Sequence, residues 1–194
     1  GGPGSPAFLY LNQKHFDKEP MLMGWFGNNK QTQFDMSLEF DPAKCAGGWQ
    51  ISSPVILGSS TLKGSIDLIN KAGIDNIREK SKQLTSYLVY LIQEILYHPP
   101  YGFRIVSPLN PEKRSAHLAI TRSEEAFRIS EAMKNKGVVL DFRPPGLIRI
   151  APAPLYNSFF EVWQLVQFLK EIVDNKEYER LPKDNEPFRG ADNQ

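Results

Sequence analysis

The chain has 194 residues, 41% hydrophobic and 23% charged, with 23 Lys and Arg against 22 Asp and Glu. A chain of that length buries roughly two-thirds of its unfolded surface, so one sizeable domain, or a domain plus part of another, is expected. Its net charge of +1 gives no electrostatic reason to expect nucleic acid or an anionic membrane as partner.

No apolar run approaches the length of a membrane span, and no signal peptide is visible. The single cysteine, Cys45, cannot form an internal disulfide, which fits a reducing compartment. A soluble, cytoplasmic protein is expected. The opening Gly1-Gly2-Pro3-Gly4-Ser5 runs directly into Ala7-Phe8-Leu9-Tyr10, which reads as a strand, as though the sequence enters a fold part-way.

Residues 1–54 are irregular and glycine-rich, with Gly24, Gly27, Gly47 and Gly48 separating short apolar pieces. Such loops often carry function on a rigid scaffold. From Pro54 the pattern becomes helical: Leu62, Ile66 and Ile69 share a face, Gly73 interrupts, and Ile77, Leu84, Leu88, Leu91 and Ile95 continue until Pro99-Pro100 stops the run. The spacing predicts a long helix kinked or broken near Gly73.

The remainder reads as an α+β unit. Phe103–Val106 and His117–Ile120 are strand-like, with a polar turn between them. Ser123 is expected to start a helix with Glu124 and Glu125 in its first turn, Ala126, Ile129 and Met133 on one face, and Gly137 as its cap. Val138–Leu140 and Leu147–Ile150 predict two further strands around the Pro144-Pro145-Gly146 turn. Ser158 and Glu161 form a capping-box pair ahead of a stripe at Phe159, Val162, Val166, Leu169 and Val173. Beyond about Asn175 the chain is polar and reads as a loose tail.

Some chemistries find no support. His15, His98 and His117 lie far apart, without metal-ligand spacing, and read as surface or hydrogen-bonded residues. No nucleophile elbow or phosphate-binding loop occurs. Three segments stand out. In Gly24-Trp25-Phe26-Gly27 the indole N–H can serve a ligand, or the two aromatics can simply anchor a loop. In Gln50-Ile51-Ser52-Ser53-Pro54 the hydroxyls before the long helix can help bind a phosphate, or can merely cap the helix. Arg149, alternating with Ile148 and Ile150, wants a carboxylate or phosphate partner, either a ligand or a structural acid.

Together these segments resemble the kynureninase family, from Gly1 to about Ile172. The most specific pieces are Gly24-Trp25-Phe26-Gly27, Phe34-Asp35-Met36, Gln50-Ile51-Ser52-Ser53-Pro54 and Arg149-Ile150-Ala151-Pro152-Ala153-Pro154-Leu155-Tyr156-Asn157-Ser158-Phe159, with Gly137-Val138-Val139 and Asp141-Phe142-Arg143-Pro144-Pro145 also fitting. The resemblance implies an α/β protein with an α+β C-terminal small domain, the C-terminal part of a fold-type I pyridoxal-phosphate-dependent transferase fold. Residues 1–60 are then the end of the large cofactor domain with its active-site loops, 61–98 a long interdomain helix, 99–175 the small domain and 176–194 a tail.

The implied activity is hydrolysis of L-kynurenine or 3-hydroxykynurenine to L-alanine and anthranilate or 3-hydroxyanthranilate, in tryptophan catabolism and NAD biosynthesis. The implied cofactor is pyridoxal 5′-phosphate, and the implied assembly a homodimer with shared active sites. By position, Trp25 donates to the cofactor phosphate and Ser53 contacts it, where relatives carry Asn or Thr; both serve the neighbouring subunit. Phe26 lines the pocket for the substrate ring, Ser52 lies near it, and Arg149 clamps the α-carboxylate. The Schiff-base lysine of the family falls upstream of Gly1, so no catalytic residue is assigned in this chain, which is expected to be inactive alone. The alternatives are a related pyridoxal-phosphate enzyme of the cysteine desulfurase type, for which Cys45 lacks the context, and a non-catalytic truncated fragment or binding module.

Overall fold

The computed structural model describes residues 4–182, which fall into two compact units, residues 1–71 and 72–194. Gly1–Pro3 and most of the expected tail, 183–194, lie outside the described residues. No helix among them is long and apolar enough to cross a membrane.

The first unit holds three short 3-10 turns, Gln13–His15, Trp25–Gly27 and Ala46–Trp49, followed by helix α1, Ile56–Ala72. Ala7–Tyr10 forms no strand. Its residues pair with no neighbour among the described ones, and an apolar run makes a strand only where a ladder is available. The one bridge among the described residues of this unit joins Asn28 to Pro42. No residue of α1 is buried.

The second unit is built on an antiparallel sheet of four strands in the order β1-β2-β4-β3, with β1 Arg104–Ile105, β2 Leu118–Thr121, β3 Asp141–Arg143 and β4 Leu147–Ile150. Helices α2 (Ile74–Leu91), α3 (Ala126–Asn135) and α4 (Phe159–Asp174) bury their apolar stripes with one face of the sheet. Leu84, Leu88, Phe103, Leu118, Ile120, Ile129, Ile148 and Leu169 are completely buried there. The predicted interruption of the long helix is real: α1 ends at Ala72, and Gly73 (φ 80°) separates it from α2.

Local chemistry sets several boundaries. Gly137 (φ 79°) closes α3, with its N–H donating to Lys134 O and the Val138 N–H to Met133 O, the paired bonds of a glycine-terminated helix. The start of α3 is three residues later than the predicted Ser123, because Glu125 adopts a left-handed conformation (φ 60°). The predicted strand at Val138–Leu140 is displaced to Asp141–Arg143. Extending the ladder upstream from the Asp141–Arg149 pair would set Val138 opposite Pro152, which has no N–H to give, and Val139 is 83% exposed. Arg114 is buried without an acid partner among the described residues, its guanidinium donating to Pro108 O, Leu109 O and Ser86 Oγ, so it ties the β1–β2 connection to α2.

The capping box of α4 forms as expected. The Glu161 N–H donates to Ser158 Oγ at 3.2 Å, while the Glu161 carboxylate accepts from the Ser158 N–H at 2.7 Å and from its hydroxyl at 2.8 Å. The backbone N–H of Ser158, and then its hydroxyl, hold the Glu161 carboxyl below its ordinary value. A depressed carboxyl adds stability above its unfolded pKa and loses it as pH falls through the folded one. Ser158→Ala removes the oxygen that accepts from the Glu161 N–H and is expected to destabilise the chain by about 1 kcal/mol at neutral pH, the usual cost of a lost N-cap. The gap should narrow in acid, and urea titrations at the two pH values check this.

Candidate functional site

Two loops of the first unit bring four of the predicted site residues onto adjoining segments. A Cβ at Gly24 would overlap the backbone of Ile51, and one at Gly27 would lie 2.6 Å from Gly48 O and 3.0 Å from Gln50 O. Only glycine permits so close a backbone approach. Ala43 N donates to Gly27 O at 3.0 Å and Asn29 N to Asp41 O at 2.7 Å, which fastens the base of the first loop. The glycines flanking Trp25 thus dock one loop against the other.

Trp25 is 46% exposed. It sits edge-on to Phe34 at 5.4 Å and to Phe26 at 6.0 Å. Its indole N–H donates to Gln33 O at 3.2 Å, and Gln33 Nε2 returns a bond to Trp25 O at 3.3 Å. Phe34 and Gln33 are neighbours to which the sequence assigned no role. The Phe34 motif was visible, but a backbone carbonyl leaves no trace in side-chain identity. Phe26 is half-buried beneath Lys30, whose ammonium lies 4.0 Å above the ring and bonds Phe26 O. Ser52 and Ser53 are exposed, and neither hydroxyl makes a hydrogen bond among the described residues. Neither caps α1, which starts at Ile56 beyond Pro54 and Val55.

Arg149 belongs to the second unit. Ile148 and Ile150 are buried beside it, so Arg149 stands on the sheet face opposite the helices, as strand alternation predicts. Its ladder partners are Ala119 on β2 and Asp141 on β3. Arg149 Nη2 lies 2.6 Å from Asp141 Oδ2, with side chains 42% and 37% exposed, and Arg143 Nε reaches the same oxygen at 3.1 Å. Asp141 was quoted in the sequence motif without a role.

On the helical side, a cavity of about 400 Å³ lies between α4, the Gly137–Leu140 segment and the end of β4. None of the predicted site residues lines it. Lys136, at its edge, would be lowered by burial, but Glu171 and Glu177, each at 3.2 Å, hold its ammonium above the ordinary value. A lysine kept protonated in this way is unsuited to nucleophilic work.

Comparisons with known proteins give these residues a context. Residues 77–169 match the family model described as the kynureninase C-terminal domain. Kynureninase from Geobacillus thermodenitrificans (strain NG80-2) is 45% identical over 186 residues, covering 96% of this chain and 43% of that protein. Residues 77–169 are a kynureninase C-terminal domain. Kynureninase from Shouchella clausii (strain KSM-K16) is likewise 45% identical, over 96% of this chain and 43% of its own length. The chain thus spans less than half the length of the curated kynureninases it matches.

Solved structures show the fold. The apo cysteine desulfurase of Thermococcus onnurineus NA1 matches with a TM-score of 0.70 at 18% identity, over 86% of this chain and 42% of that one. A C-DES mutant with glycine covalently linked to its pyridoxal-phosphate cofactor matches at 0.59 and 13%, over 77% and 37%. The kynureninase domain and its flanking segments therefore have the fold of the C-terminal part of a fold-type I pyridoxal-phosphate-dependent enzyme, with an α+β small domain.

Proposed function

We propose that this chain contributes the C-terminal part of a pyridoxal-phosphate-dependent kynureninase. The enzyme hydrolyses L-kynurenine or 3-hydroxykynurenine to L-alanine and anthranilate or 3-hydroxyanthranilate. The observation that carries the reading is 45% identity across 96% of the chain. On this reading residues 1–60 end the large cofactor domain, 61–98 form the interdomain helix and 99–175 the small domain. The enzyme is a cytoplasmic homodimer whose sites are shared between subunits.

The residues suit one edge of the cofactor. The free hydroxyls of Ser52 and Ser53 and the exposed indole of Trp25 offer donors of the kind a phosphate accepts. A phosphate would compete with Gln33 O for the Trp25 N–H, and a charged acceptor forms the stronger bond. When bound, pyridoxal phosphate would supply the electron sink for hydrolytic cleavage of the bond between the β-carbon and the aryl ketone carbon. Phe26 lines the place of the substrate ring, with Ser52 beside it. Arg149 grips the substrate α-carboxylate and aligns the amino acid for reaction. Lys30 is engaged at Phe26 and Lys136 between two glutamates, which suits a reading in which the cofactor's lysine comes from upstream sequence.

The test is to supply the full-length enzyme carrying this chain with pyridoxal phosphate and L-kynurenine. Anthranilate, followed by its fluorescence, and alanine are expected in equal amounts. The isolated chain is expected to form neither. Absence of both products from the full-length enzyme would overturn the assignment.

A further inference from the structure

We infer that Asp141 is a positioning residue that holds the Arg149 guanidinium ready for the substrate carboxylate. This rests on the proposed role of Arg149. The two residues are directly opposed Cα partners on β3 and β4, and Arg149 Nη2 lies 2.6 Å from Asp141 Oδ2. Both strands are fixed from their other side. Ile148 and Ile150 are buried beside Arg149, and Phe142, next to Asp141, packs edge-on against Phe127 at 5.3 Å. On the far side of Arg149 the partner is Ala119, too small to orient a guanidinium. Asp141 is thus the one charged side chain among its two ladder partners.

A guanidinium has five donors in a rigid fork, and Arg149 makes no hydrogen bond through the others among the described residues. One contact to Asp141 therefore restricts the long side chain and leaves donors for a second carboxylate. Arg143 Nε also reaches this Asp141 oxygen at 3.1 Å, but its side chain is 61% exposed, so that pair holds the carboxylate only weakly. The opposite role is that of a competitor, with Asp141 occupying the place the substrate needs. The two roles predict opposite signs.

In the full-length holoenzyme, Asp141→Asn is expected to raise KM for kynurenine about tenfold, with kcat changed less than about threefold. The Kd of an analogue lacking the α-amino group, which keeps the carboxylate but cannot join the cofactor, read by calorimetry, should rise in parallel. KM for an analogue lacking the α-carboxylate should stay put. Asp141→Glu, which keeps the charge, should fall between wild type and Asp141→Asn, and carries the same test should Asp141→Asn fail to fold. Arg143→Gln is expected to leave KM within about twofold, because its exposed pair contributes little. A KM that falls or stays unchanged on altering Asp141, while Arg149→Gln raises it, overturns this inference and leaves the carboxylate clamp standing. If Arg149→Gln also leaves KM unchanged, the clamp reading itself fails.

Discussion

Arg149→Ala is expected to raise KM for L-kynurenine about a hundredfold in the full-length enzyme, equivalent to about 3 kcal/mol of lost binding. The side chain stands on the open face of the sheet between Ala119 and Asp141, and no second arginine shares its place on β4. On the proposed role, removing it leaves the substrate carboxylate without its fork; it also leaves Asp141 with only the exposed Arg143. Arg149→Lys keeps a charge but loses the planar two-point grip, so an intermediate KM is expected. Steady-state kinetics with kynurenine and with its analogue lacking the α-carboxylate separate binding from folding. A variant that loses both substrates equally has lost structure, and one that loses only kynurenine has lost the clamp.

Phe103→Ala is expected to destabilise the chain by about 4 kcal/mol, within the usual range for emptying the site of a buried aromatic ring. Phe103 is completely buried, its N–H donates to Leu96 O, and its ring lies 5.9 Å beneath the Arg122 guanidinium. It therefore joins the end of the long helical stretch to the start of the sheet. Thermal unfolding should shift down by about 10 °C. Val139→Ala, at a strongly exposed apolar position, is the control and should move stability by less than about 0.5 kcal/mol. Equal effects of the two would mean that the core is centred elsewhere.

What could be read in the sequence was local chemistry. The Ser158–Glu161 box, the Gly137 cap, the interruption at Gly73 and the outward aim of Arg149 depend on neighbours within a few residues. What could not be read depended on pairing across the chain. Ala7–Tyr10 has strand-forming residues and no ladder. The edge strand fell at Asp141 because Pro152, across the hairpin, cannot extend it. The start of α3 turned on the backbone conformation of Glu125. The kynureninase motif gave Arg149 a role, whereas Asp141 acquires one only from register. That register was within reach: Asp141 and Arg149 lie four residues either side of Pro145, as hairpin partners around a tight turn must.

The close docking of the two glycine loops has a consequence for how this site can change over generations. Positions 24, 27 and 48 have no room for a methyl group, because each Cα lies against a neighbouring main chain. Drift at these three positions is closed off whatever the enzyme acts upon. The contact between the loops is made by main chain, so it does not depend on which ring stands at position 26, whereas Trp25 is tied to its indole N–H. On the proposed reading, a lineage, or an engineer, can retune ring recognition at Phe26 without rebuilding the scaffold beneath it.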